Sequence, residues 1–145
     1  MRTLIILIGI LAVLASAPAA MSGAATSSGT VTVHTSSYGR ILFDGRGFVL
    51  YAFSHDPRGR SSCRGACATA WPPYLVKKAP SAGAGLKASL LGTLRRADGT
   101  IQVTYAGRAL YYYVGDRKAG QILCQNVLEF GGRWLVVRAN GVPVQ

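Results

Sequence analysis

A short stretch of the sequence occurs twice, and this repetition limits the folds open to the chain. Residues 50–56 are LYAFSHD, and residues 110–116, sixty positions further on, are LYYYVGD. With the same shift, residues 31–56 align without a gap onto residues 91–116. Regular self-similarity over such a length is typical of repeated structural units. The sequence therefore predicts a tandem duplication.

The correspondence continues beyond the aligned segment with a few insertions. One inserted residue brings Cys63 onto Cys124, and two more bring Trp71 onto Trp134. We interpret the two tryptophans as structural aromatics that occupy equivalent places in the two units. The order of the matching residues is kept although the similarity weakens toward the C-terminus.

Each unit has the pattern of β-hairpins. Apolar runs flank a glycine-bearing turn at residues 44–47 in the first unit and at Ala106-Gly107 in the second, which is a hairpin signal. Residues 63–71 alone look helical, and Pro72-Pro73 would end that helix. Isolated hairpins are marginal in water. The sequence thus predicts a mainly β fold of two tandem hairpin-rich repeats that share one core, with a short helical turn at about residues 63–71.

The predicted domain organisation follows from these boundaries. We expect one domain over residues 31–145, with repeats at 31–76 and 91–142. The Pro/Gly/Ala-rich residues 77–90 would link them, and the small polar residues 26–30 would be disordered.

The N-terminus has the features of an export signal. A basic residue, Arg2, precedes an unbroken apolar run and then small residues, which predicts a signal peptide over residues 1–25. An uncleaved N-terminal anchor is the alternative, although the run is short for a membrane span. No cysteine lies near this end, so we expect no lipid anchor. The predicted location is therefore secreted, or in the extracytoplasmic cell envelope.

The charge balance indicates the kind of surface that would attract the protein. The chain has 16 Lys and Arg against 5 Asp and Glu, a net charge of +11. A basic secreted protein is attracted to anionic wall polymers or membrane surfaces. The basic residues are scattered and no nucleic-acid-binding signature accompanies them, so we expect no specific nucleic acid ligand. We expect a monomer, and the sequence indicates no particular protein partner.

The repeated motif consists of tyrosine or phenylalanine and aspartate, at Tyr51, Phe53, Asp56, Tyr111, Tyr113 and Asp116. Residues two apart on a strand share a face, so the aromatic members are expected to fill the core. The aspartates are expected to end the strands by bonding N–H groups two residues on, as in an Asx-turn. The alternative is that both aspartates meet as a carboxylate pair for acid–base or metal chemistry.

The three cysteines give an odd number of thiols in an exported chain. Gly65 would permit a distorted turn that joins Cys63 to Cys67, and Cys67 to Cys124 is the alternative bond. We favour Cys63–Cys67, which would leave Cys124 buried and reduced. His55 with Cys63 and Cys67 is a weak candidate for a metal site because no fourth ligand accompanies them. We predict no metal and no cofactor.

These residues also carry a resemblance. The chain resembles the bacterial family of secreted-repeat proteins, described as predicted lipoproteins with a Y-x-(F/W/Y)-x-x-D motif, which residues 51–56 and 111–116 fit. SSCRGACATAWPP and EFGGRWLVV are similar to the flanking signatures of that family. The resemblance implies no activity, because the family has none established. Many relatives are lipoproteins, and this chain lacks the cysteine that lipid attachment requires.

Two functional hypotheses remain. No Ser/His/Asp set, phosphate loop or HExxH motif is present, so we do not expect an enzyme. The first hypothesis is a non-enzymatic binding or structural module of the cell envelope. The alternative is an extracytoplasmic thiol-redox or metal-binding protein that uses the Cys63/Cys67 segment.

Overall fold

The computed structural model describes residues 29–145. The strands are β1 (Thr30–Ser36), β2 (Gly39–Asp44), β3 (Tyr51–Phe53), β4 (Ser81–Ala82), β5 (Leu91–Arg95), β6 (Ile101–Tyr105), β7 (Arg108–Ala109), β8 (Val127–Glu129) and β9 (Gly132–Val136). The helix α1 spans Ala66–Ala70, and a 3-10 turn spans Ala88–Leu90. The mainly β fold with one short helical segment is therefore confirmed. The predicted signal peptide lies outside the described residues.

The strands form three small sheets, in the orders β2-β1-β4, β3-β9-β8 and β5-β6-β7. All neighbours are antiparallel except β1 and β4, which are parallel. The hairpin predicted at residues 44–47 is present, since the amide of Asp44 donates to the carbonyl of Phe48 and the amide of Leu50 to that of Leu42. Two further hairpins pair β1 with β2 and β5 with β6. The turn at Ala106-Gly107 has both residues at positive φ, 50° and 74°, as a two-residue hairpin of the favoured twist requires.

The two repeats differ in length by one residue in each of two turns. The gap-free alignment of residues 31–56 onto 91–116 is therefore wrong between these turns. Ser36 pairs with Gly39, whereas its counterpart Arg96 bonds across a turn to Thr100 and is one residue further from its partner. The next hairpin compensates, because Leu42 pairs with Leu50 while Val103 pairs with Leu110. Strand β6 is therefore displaced from β2 by sixty-one positions. The sequence hid this shift because Ile41 and Ile101 coincide without it.

The closing segment of each repeat pairs with a strand of the other repeat. The amide of Leu42 in the first repeat donates to the carbonyl of Val137 in the second at 2.9 Å. The amide of Val103 in the second repeat donates to Tyr74 of the first, also at 2.9 Å. Strand β3 likewise pairs with β9. The main chains of the two repeats are therefore interlocked, and the sheet β3-β9-β8 contains strands of both.

Segments predicted as a linker and as disordered contain regular structure. Within residues 77–90, β4 extends the sheet of β1 through pairs at Thr30–Ser81 and Val31–Ala82. Thr30, at the end of the stretch predicted as disordered, is already the first residue of β1. The composition misled the prediction because small residues allow the chain to lie close against a strand edge.

The core lies on both faces of the same strands, and both repeats contribute to each side. One cluster includes Phe43, Tyr51 and Trp134, and the other includes Leu42 and Val103. Successive residues of a strand point to opposite faces, so neighbouring residues of β2 enter different clusters. The shared core that the repeats were expected to form is present and has two parts.

Candidate functional site

The two copies of the repeated motif meet at the centre of the molecule. The amides of Tyr51 and Tyr111 each donate to the other's carbonyl oxygen at 2.9 Å. The Tyr51 hydroxyl donates to Oδ2 of Asp116 at 2.8 Å, and the Tyr111 hydroxyl donates to Oδ2 of Asp56 at 2.6 Å. The tyrosine of each repeat is therefore bound by the aspartate of the other repeat.

The aspartates also hold the loops that follow them, in a way the sequence did not predict. Oδ1 of Asp56 accepts the amide of Ser62, and Oδ1 of Asp116 accepts the amide of Leu123. An Asx-turn would have used the N–H two residues on, so that prediction is wrong. Each aspartate amide instead closes a turn by bonding the carbonyl three residues before it, at Phe53 or Tyr113. The aspartate is thus the last residue of its turn, and its carboxylate is directed to the other repeat.

Asp56 and Asp116 bind different hydroxyl groups and share no hydrogen-bond partner. They therefore do not form the carboxylate pair that was considered as the alternative. Burial raises the pKa of Asp116, against the opposing effect of the bonds from Tyr51 and Leu123. Burial also raises the pKa of the Tyr51 and Tyr111 hydroxyls far above the usual range, and the carboxylates they bind add to this. Both tyrosines therefore remain protonated donors at any physiological pH.

Four aromatic rings form a column across the same centre. Phe53 stacks on Trp134 at 4.3 Å, Trp134 on Trp71 at 4.0 Å, and Trp71 meets Tyr113 at 4.7 Å between ring centroids. The rings alternate between the repeats, and equivalent residues occupy equivalent places. The edges of the motif tyrosines close the column, since Tyr51 meets Trp71 and Tyr111 meets Trp134, both at 5.2 Å. The aromatic motif residues thus belong to the core, as the strand pattern predicted.

One acidic residue serves both indole groups. Trp71 Nε1 donates to the Glu129 carboxylate at 2.8 Å, and Trp134 Nε1 donates to the Glu129 carbonyl at 3.3 Å. Buried indole N–H groups need such acceptors. This role of Glu129 was not predicted from the sequence, where it appears only as an acidic residue before a glycine pair.

The cysteine chemistry agrees with the favoured pairing. Cys63 and Cys67 form a disulfide with their Cα atoms 5.2 Å apart, and Gly65 between them has a φ of 55°, which is unfavourable for other residues. Cys124 is a free thiol. It is half-buried and not fully buried as expected, and burial raises the pKa of its thiol. The Tyr113 hydroxyl donates toward the Cys124 sulfur, and this interaction raises the pKa of that hydroxyl.

Nothing in residues 29–145 brings three or more histidine, cysteine, aspartate or glutamate side chains together as a metal site. His55 is exposed and its ring lies 5.8 Å from that of Phe53. The two cysteines proposed as its co-ligands are bonded to each other.

We predict the thiol content of the protein from this arrangement. Unreduced protein alkylated under denaturing conditions should gain one alkyl group, at Cys124, and reduced protein should gain three, as intact mass spectrometry can measure. The C63S/C67S variant should lose about 2 kcal/mol of unfolding free energy, because the bond closes only a short loop. C124S is the matched control and should retain the mass signature of the disulfide. Three alkyl groups on unreduced protein would instead support the thiol-redox hypothesis.

A polar network beside the motif was not predicted from the sequence. Arg96 donates through one terminal nitrogen to Ser61 Oγ at 2.6 Å and to Gln102 Oε1 at 2.7 Å, and through the other to the Cys63 carbonyl at 2.7 Å. Ser61 Oγ lies 2.6 Å from the Tyr111 hydroxyl. A polar residue in one repeat opposite an apolar residue in the other would have indicated this network. The one-residue shift in β6 concealed that difference in the sequence alignment.

Across residues 29–145 there is no helix with the length and apolar character that a bilayer crossing needs. A family model described as a secreted repeat of unknown function matches residues 32–74 and again residues 92–138. The two matched segments correspond to the repeats predicted at 31–76 and 91–142. No curated protein and no solved structure matches the chain.

Proposed function

Because the chain belongs to the family of secreted repeats of unknown function, we propose that it is a non-enzymatic module that binds a polyanionic surface of the cell envelope. The observation that supports this proposal is the location of the acidic side chains. Most of them are used inside the fold, while the basic residues are left on the outside.

Four of the five carboxylates make specific internal contacts. Asp56 and Asp116 hold the motif tyrosines, and Glu129 accepts from Trp71. Asp44 is buried, accepts the Tyr112 hydroxyl at 3.0 Å and pairs with Arg46 at 2.9 Å. Asp98 is the one exposed acidic residue of the chain that the structure describes. The outer surface therefore has almost no negative charge of its own.

The positive charges have the opposite distribution. Thirteen of the fifteen described Lys and Arg residues are exposed, and Arg96 and Arg108 are the exceptions. The exposed ones are Arg40, Arg46, Arg58, Arg60, Arg64, Lys77, Lys78, Lys87, Arg95, Arg117, Lys118, Arg133 and Arg138. Such a field attracts phospholipid headgroups and acidic polymers and repels other cations. Because the charges are spread over many loops, contact with a polyanion does not depend on one pair of residues.

Binding to anionic vesicles and to a soluble wall polymer tests this proposal. The mature protein should sediment with phosphatidylglycerol-containing vesicles and bind teichoic acid, but should not bind phosphatidylcholine vesicles. Raising the ionic strength from about 0.05 to about 0.5 M should weaken binding by at least about tenfold, because the screening length falls well below 10 Å. Absence of binding at the lower ionic strength would refute the proposal.

Two charge-removal variants test whether the binding surface is spread over many loops. K77Q/K78Q and R117Q/K118Q each remove two exposed charges from different loops. We expect both to weaken binding by a similar factor and neither to abolish it. Complete loss in one variant alone would show a local site in place of a distributed surface.

A further inference from the structure

A cleft of about 380 Å³ lies between the loop that precedes α1 and the turn that joins β5 to β6. Its walls include Ser61, Arg64 and Ala68 on one side and Arg96, Ala97 and Asp98 on the other. Arg64 is exposed, so its guanidinium is available to a ligand in the cleft. The cleft therefore combines two arginines and a serine.

The second of these arginines lacks a direct acidic partner. Arg96 is only 8% exposed, and its guanidinium donates to the neutral oxygens of Ser61, Gln102 and Cys63. In the part of the chain that the structure describes, no carboxylate lies within 4.0 Å of it. Burying a cation without a counter-charge is unfavourable. A structural role would need to offset that cost.

The duplication supplies an internal control for such a role. A cleft of about 430 Å³ lies beside the corresponding turn of the other half, and the residues that line it include His34, Ser36, Ser37 and Ile122. By the observed register, Ser36 stands where Arg96 stands, and Ile122 stands where Ser61 stands. The two clefts thus differ in chemistry at the positions that correspond between them.

In the other half, the corresponding tyrosine–aspartate contact forms without an arginine. Gln102 corresponds to Ile41, which is fully buried in the core. The Tyr51–Asp116 bond forms beside these apolar residues at 2.8 Å, with no arginine among its partners. Holding the tyrosine–aspartate pair therefore does not explain the group of Arg96, Gln102 and Ser61, and an anionic ligand in the cleft would supply the counter-charge that Arg96 lacks.

We propose that this cleft is a phosphate-binding site in which Arg64 and Arg96 bind one phosphate group, with Ser61 at its wall. This inference rests on the proposed function, since the phosphate would be that of a lipid headgroup or of a wall polymer. The exposed guanidinium of Arg64 can bind phosphate through paired hydrogen bonds. Arg96 already donates three of its N–H groups within the protein and contributes mainly its uncompensated positive charge. Two positive charges favour a doubly charged ligand over a carboxylate. The other cleft has no such pair.

Two neighbours set the properties of the site. Asp98 lies on the same wall, and its Oδ1 accepts the amide and hydroxyl of Thr100, which hold it on its own turn. Its charge opposes that of the ligand and keeps the affinity for free phosphate low. Ser61 links Arg96 to Tyr111 and so to Asp56, which connects the site to the repeated motif.

An NMR titration of the labelled, full-length mature protein with inorganic phosphate tests the site. We expect saturable shifts of the backbone amides of residues 61–68 and 96–99 and none at residues 34–37 of the other cleft. Acetate at matched ionic strength should produce smaller, non-saturating shifts. No saturation, equal shifts at both clefts, or equal binding of acetate would each overturn the proposal.

Variants separate this site from the general surface charge. R64A should weaken phosphate binding by about tenfold, as expected for a lost charge-assisted bond. R138A removes one exposed charge elsewhere and should change phosphate binding less than twofold. R96Q should also weaken phosphate binding. Because Arg96 is buried, the NMR spectrum of this variant is first compared with that of the unmodified protein to check that the fold is retained. Equal effects of R64A and R138A would refute a defined site.

The outcome can be distinguished from failure of the proposed function. If the protein binds vesicles or teichoic acid while inorganic phosphate gives no saturation, the distributed surface stands and the cleft does not. If R64A weakens binding to phosphatidylglycerol vesicles more than to teichoic acid, the lipid headgroup is the source of the phosphate. The reverse order identifies the polymer.

Discussion

Replacement of Trp134 by alanine is expected to lower the free energy of unfolding by about 4 kcal/mol, which is a large part of the stability of a domain of this size. Trp134 is fully buried and lies between Phe53 and Trp71 in the aromatic column. Its loss would leave a cavity between rings contributed by both repeats. Denaturant unfolding followed by circular dichroism measures the effect.

Two further variants make this prediction specific to the column. W134F keeps an aromatic ring between its neighbours and removes the bond to the Glu129 carbonyl, so it should cost much less than alanine. W71A should cost about as much as W134A, since Trp71 is equally buried and occupies the equivalent place. A loss below about 1 kcal/mol in W134A would show that the column is not tightly packed.

Replacement of Asp116 by alanine is expected to cost about 3 kcal/mol, because it leaves two donors without their acceptor. The Tyr51 hydroxyl is buried, and the Leu123 amide lies in a half-buried contact. D56A is the matched control in the other repeat. Asp56 is partly exposed, so water can replace some of its bonds and the cost should be smaller.

The order of these two costs is decisive and can be measured by denaturant unfolding at neutral pH. A larger loss in D56A than in D116A would contradict the conclusion that Asp116 is the more deeply buried of the two aspartates. Equal and negligible losses would show that the aspartates are dispensable surface residues, as they would be if they only ended strands.

The sequence predicted the features that depend on local pattern. The duplication, the turn at residues 44–47, the short helix and the Cys63–Cys67 bond follow from spacing, glycine and alternation. Pairing between distant segments is not encoded in such patterns. Nothing near Leu42 indicates that it pairs with Val137 of the other repeat, because both are apolar residues that could pack in many ways.

The candidate site illustrates the same limit. The motif tyrosines and aspartates were identified, but their crossed pairing depends on how two repeats interlock. Arg96 was hidden for a different reason, since an arginine is expected at the surface and the turn insertion displaced its neighbour Gln102 from the aligned position. Burial of a charge appears only when the three-dimensional packing is known.

The positions of the carboxylates connect the fold to the proposed function. The contacts that interlock the repeats use Asp56, Asp116 and Glu129, and a further contact uses Asp44. The same fold that uses these acids in internal contacts leaves most of the exposed arginines and lysines without an ion pair. The surface charge is thus a consequence of the interlocked architecture and is the property on which the proposed polyanion binding depends.

The tyrosine of one repeat is held by the aspartate of the other, and a double-mutant cycle on Tyr51 and Asp116 measures the strength of that contact. Unfolding free energies of Y51F, D116N and the double variant should give a coupling energy of about 1–3 kcal/mol. The same cycle on Tyr51 and Asp56, which share a repeat, should give less than about 0.5 kcal/mol. Strong coupling within the repeat, with none between repeats, would contradict the interlocked structure.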